Sequence, residues 1–190
     1  MEVTLSGPKL SKKDIVLFEQ TNNILLQNDY RDFMLEHNGG LVTGTKWKNQ
    51  DQGVVTLTWH ETSRCPDKQV YAFGGDLYSL NEIGKNDFEN IAYNLESLKE
   101  NAENFGVSKA TPDGAVPVGK DPGGNLFLHM TKGPYTGAIL FWNRFYLENI
   151  TDMDLGYVAP SFSAYIQSLR EAPENWDALE AEAVQKCDPR

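Results

Sequence analysis

Apolar and polar residues separate most sharply between Ala115 and Arg144. Three apolar runs, Ala115–Val118, Leu126–Met130 and Ala138–Trp142, stand apart from one another. The first gap is Gly119-Lys120-Asp121-Pro122-Gly123-Gly124, and the second is Lys132-Gly133-Pro134-Tyr135-Thr136-Gly137. Proline fixes φ and glycine admits positive φ, so both gaps predict tight reversals. Short apolar runs divided in this way predict an antiparallel meander, with the remaining elements laid around it.

Upstream, residues 1–10 read as a loose arm. Ser11-Lys12-Lys13-Asp14 is an S-x-x-D capping pattern and opens a helix with Ile15 and Phe18 on one stripe, ending near Asn22 and Asn23. Asn28-Asp29 predicts the cap of a second helix, Tyr30 to His37, with Tyr30, Phe33 and Met34 at i, i+3 and i+4. Asn38-Gly39-Gly40 closes it. Strand patterning follows over residues 41–75, with a polar turn from Lys46 to Gly53 and a short strand at Val70-Tyr71-Ala72-Phe73. A third helix is predicted from Asp87 to Asn104, a fourth over Val158 to Leu169, and an acidic one over Trp176 to Val184.

Composition narrows the class. The chain has 190 residues, 40% hydrophobic, enough for one domain with its own core. Its net charge of −10 argues against nucleic-acid binding, which needs a basic footprint, and fits a basic protein partner. No apolar run approaches a membrane span, and the N-terminus has no apolar signal segment, so no membrane association is expected. The two cysteines, Cys65 and Cys187, form no CxxC pattern; a reduced, cytoplasmic protein without metal or cofactor is expected.

Candidate chemistry is sparse. Gly114 to Lys120 fits GxxxxGK, but Asp121 replaces the magnesium-binding hydroxyl and Pro122-Gly123-Gly124 prevents a helix from opening there. The segment reads as a hairpin, with Asn125 available to satisfy its backbone. His37, His60 and His129 come with no nucleophile signature, so structural or surface roles are expected and no enzyme is predicted. Trp59 and Trp142 lie in strand runs and read as core. Trp47 and Trp176 lie in polar surroundings and are candidate partner contacts, because exposed tryptophans often anchor interfaces.

Four blocks, in this order, resemble the SMI1/KNR4 family of the SUKH superfamily. They are Leu26 to Phe33 leading to His37-Asn38-Gly39-Gly40; Phe73 to Leu80; Val116 to Asn125 with Gly137 to Trp142; and Val158 to Tyr165. Gln27 stands where the family usually has proline. The resemblance covers about residues 11–170, leaving 1–10 as an arm and 171–190 as an acidic C-terminal helix or tail. It implies a single α+β domain, a mainly antiparallel or mixed sheet flanked by helices, that works by binding. Bacterial members are associated with immunity to toxins, often nucleases or deaminases of polymorphic or contact-dependent systems. Fungal members are regulatory modules linked to cell-wall synthesis and signalling. The expectation drawn here is an immunity protein that occludes a basic toxin domain. Asp76, Glu82, Asp87 and Glu89 form its candidate acidic band, with Trp47 and Trp176 as further contacts. Oligomeric state is left open.

Overall fold

The computed structural model describes residues 2–43, 46–47, 50–51, 53–65, 68–80, 90–92, 94–97, 113–144 and 150–171. The meander is its centre. Strands β8 (Ala115–Lys120), β9 (Leu126–Met130) and β10 (Ile139–Trp142) pair antiparallel in sequence order. β9 and β10 are buried throughout, which is why they read as unbroken apolar runs rather than alternating ones. Phe127 and His129 face one side, where Phe127 meets Phe141 and Tyr165, and His129 meets Tyr30. Pro117 lacks an N–H, and the β8–β9 register shifts between Pro117 and Gly119, so the ladder accommodates it. At Gly119 an added Cβ would run into the Asp76 carbonyl, so only glycine lets the neighbouring strand at Asp76 and Leu77 approach this closely.

Around these three strands the sheet extends to seven, all antiparallel, in the order β1-β2-β7-β8-β9-β10-β11. β2 is Gly40–Thr43, β7 is Asp76–Leu77 and β11 is Gly156–Ala159. The arm is not wholly loose: Glu2–Thr4 forms β1 on the outer edge of β2. Buried Leu10 and half-buried Val3 pull this segment onto the core, a tertiary effect that local sequence does not announce. The polar turn at 46–53 contains a small hairpin, β3 (Lys46–Trp47) with β4 (Gln50–Asp51). A second pair, β5 (Gly53–Thr56) with β6 (Tyr71–Gly74), is joined to the main sheet by the bridge Thr58–Tyr157, and the bridge Val54–Arg170 ties it to the segment after the last described helix.

Three helices bury one side each. In α1 (Lys12–Asn22), Ser11 Oγ accepts from Asp14 N, and Ser11 N donates to Asp14 Oδ2 at 2.7 Å. The helix closes on Asn23 in the left-handed region. α2 is Asn28–Glu36; Gln27 occupies its N-cap without a side-chain bond, so Asn28-Asp29 does not cap it as expected. Asp29 Oδ2 instead accepts from Ser163 N at 2.9 Å, and with Ser161 it caps α3 (Phe162–Ser168). Val158 and Ala159 belong to β11 and not to the helix predicted over Val158 to Leu169. Pro160 lacks the N–H a helix interior needs, and the first turn begins after it. Of the predicted Asp87–Asn104 helix, residues 91–92 and 94–97 are helical, Asn90 instead bridges to Ser79, and the rest lies outside the described residues. So does the predicted 176–184 helix.

Candidate partner-binding surface

β6 alternates large and small residues, Tyr71-Ala72-Phe73-Gly74, and the strand turns the small ones inward. A Cβ on Gly74 would meet the Tyr165 hydroxyl at 2.6 Å, so this contact with α3 needs glycine. Gly75 N donates to that same hydroxyl at 3.2 Å, fixing the point where β6 leaves β5 and becomes β7 of the main sheet. Burial pushes the Tyr165 phenol well above its ordinary range, so it stays neutral in this role. The large residues face outward: Tyr71 and Phe73 are half-buried, with rings edge to face at 6.2 Å.

The approach to β6 is held in place from behind. Trp59 Nε1 donates to Gln69 O at 2.7 Å, Leu57 N donates to Val70 O at 2.8 Å, and Gln69 Nε2 donates to Tyr71 O at 3.0 Å. Residues Lys68 to Phe73 and Asp121 line a groove of about 330 Å³. That wall is also fixed. Asp121 accepts from Asn125 N at 2.8 Å and from Asn125 Nδ2 at 2.9 Å, while Asn125 Oδ1 accepts from Arg144 N at 3.2 Å. The hairpin reading of this GxxxxGK-like segment is what the structure contains: β8 leads into a turn braced by its own side chains.

Asp76 stands next to this wall. It lies opposite Lys120 across the β7–β8 ladder, with Oδ2 3.7 Å from Lys120 Nζ, and Lys120 precedes Asp121. It is half-buried and ion-paired. Glu82, Asp87, Glu89 and Trp176 lie outside the described residues, and Trp47 is described only as backbone in β3. The residues that sequence reasoning passed over are Tyr71 and Phe73. Their signal was the large–small alternation within a strand already recognised, which marks the face of the small residues as packed against a close neighbour.

The histidines have separate settings. His129 is fully buried; neither ring nitrogen has a hydrogen-bond partner, and burial drives its pKa down to about 4, Asp29 opposing weakly. His37 lies 3.7 Å from exposed Glu36 and stacks near Phe33. His60 Nδ1 is 2.7 Å from Thr62 Oγ1 and also accepts from Thr62 N, an exposed local turn. Trp59 is half-buried, with its N–H spent on Gln69; Trp142 is buried. Among the described residues no three metal-type side chains converge, and no helix is long and apolar enough to cross a membrane.

The loop that leads from β5 toward the groove is tied down at a distance. Arg64 N and its guanidinium both donate to Asp154, and Thr151 N and Oγ1 donate to the same carboxylate at 2.9 and 3.1 Å. Burial raises the Asp154 pKa, but these donors outweigh it and hold the carboxyl well below its ordinary 3.8.

An antiparallel sheet with helices packed on it defines an α+β domain, and the groove lies on a braced strand of it. The sequence model of the SMI1/KNR4 family (SUKH-1) matches residues 9–168, and the chain belongs to that family. The family's members act in general through protein–protein interaction. No curated protein gives a significant match to the chain.

Proposed function

We propose that this chain is an immunity-type protein. In the cytoplasm it binds a cognate toxin domain, of the nuclease or deaminase class, and blocks access to its active site. The observation that supports this reading is the pair Tyr71 and Phe73, half-buried on a strand held by β5 and by the bonds to Gln69 O, Val70 O and Gly75 N. Half-buried aromatics on a rigid support lose little entropy on binding, and such side chains dominate interface energetics. The net charge of −10 suits a basic partner, because opposite fields raise the rate of encounter. Occlusion needs no bond to be made or broken on this chain.

The test is co-purification with the toxin domain encoded beside this gene, followed by affinity measurements. Phe73→Ala is expected to weaken the complex by about 10- to 100-fold, about 1.4–2.8 kcal/mol, through faster dissociation. Raising salt is expected to slow association without much change in dissociation. Unchanged affinity in Phe73→Ala and Tyr71→Ala, with the fold intact, removes the groove from the interface. No complex at any salt removes the pairing.

A further inference from the structure

The outer face of α1 is chemically unlike the rest of this acidic protein. At 100° per residue, Lys12, Lys13, Val16, Leu17, Gln20 and Thr21 fall on one side, and all six are exposed. Val16 is 39% and Leu17 64% accessible, and Leu25, just past the end of the helix, is 61% accessible. Both carboxylates of α1 already have partners. Asp14 closes the capping box with Ser11. Glu19 is buried, accepts from Leu26 N at 2.9 Å and lies 3.6 Å from Arg31. What remains outward is two lysines flanking two aliphatic side chains, preceded by exposed Lys9, on a chain of net charge −10.

From this we infer that the outer face of α1 is a second docking surface, and that its occupant is an acidic amphipathic helix of another protein. Val16 and Leu17 supply the apolar contact that a helix lying along α1 would bury, and Lys12 and Lys13 pair with carboxylates at its edge. A second copy docked antiparallel by the same face is disfavoured, since it would set Lys12 and Lys13 against Gln20 and Thr21 and leave both lysine pairs without a carboxylate partner. An anionic bilayer is disfavoured because it meets the repulsion of the whole chain, whereas a docked helix samples only the local field.

The probe is a pair of synthetic helical peptides, roughly 20 residues each, with leucine at i, i+3, i+4 and i+7 and either glutamate or lysine at the outward positions. Fluorescence anisotropy against the full chain reads binding. The glutamate peptide is expected to bind and the lysine peptide not to. Leu17→Glu and the double variant Lys12→Glu/Lys13→Glu are each expected to weaken binding at least about 10-fold at unchanged melting temperature, as exposed sites allow. Phe73→Ala is expected to leave it intact, which keeps this surface separable from the groove. Four results overturn the inference: no binding of the glutamate peptide, equal binding of both peptides, binding insensitive to Leu17→Glu, or binding lost in Phe73→Ala. So does co-sedimentation with phosphatidylserine vesicles, or dimerisation of the free chain, abolished by these same α1 substitutions.

Discussion

Asp154 and His129 are both buried polar side chains, and the fold treats them in opposite ways. Asp154 sits where two loops meet and receives donors from Arg64 and Thr151 on every side. His129 sits in the middle of β9 between Val116 and Ile139, with Tyr30 edge-on at 5.2 Å and no hydrogen bond to either ring nitrogen. A carboxylate can be kept charged under cover if its lone pairs are all answered. A ring with none answered is tolerated only while neutral, so it serves as a flat aromatic filler for Tyr30. The first site joins distant segments; the second only fills space, and the two should fail under different conditions.

Acid separates them with the largest effect. Between pH 6.5 and 4 the unfolded chain protonates His129 while the folded chain does not, so stability falls as pH falls through that window and levels off below it. The shift from 6.5 to about 4 corresponds to about 3 kcal/mol. Urea titrations across this range should lose the slope in His129→Leu; an unchanged slope would mean the ring finds a partner on protonation. Asp154, with its depressed pKa, contributes stability that is present above the ordinary carboxylate value and lost only as pH drops below 3.8.

A smaller effect is expected from Asp154→Ala, which leaves the Arg64 and Thr151 backbone N–H groups without their acceptor. A loss of about 2 kcal/mol in urea unfolding at neutral pH is expected. A variant within experimental error of wild type would show that water replaces the carboxylate fully. The smallest effect belongs to His129→Leu at neutral pH. Removing both unanswered nitrogens while keeping an apolar side chain should change stability by about 1 kcal/mol or less, in the stabilising direction. Clear destabilisation there would show that the ring makes a polar interaction after all.

The same contrast explains what the sequence disclosed. Leu126–Met130 was legible as a strand because a sheet buried on both faces must be apolar at every position, and a single histidine in it does not disturb the pattern. Ser11 announced α1 because its cap partner, Asp14, lies three residues away. The Arg64–Asp154 tie was invisible because nothing local marks either residue. Asp29 was misplaced for the same reason: one carboxylate oxygen serves Ser163, far along the chain, and the capping pattern before Tyr30 was read as local. β1 was missed because Val3 and Thr4 gain their partners only from Val42 and Leu41. At the groove, the strand was visible but its outward aromatics were not, since facing depends on Tyr165 packing beneath Gly74.

The bridge between Val54 and Arg170, with backbone bonds of 2.8 and 3.2 Å in both directions, has a temporal consequence. It links the hairpin that bears the groove to a residue beyond α3. On the ribosome, β5 and β6 emerge long before their brace does, and the closure entropy of so long a loop has to be met last. Tyr71 and Phe73 thus come to rest on a finished platform only once nearly all of the family domain has been made. A nascent chain, lacking Arg170, therefore carries no finished groove.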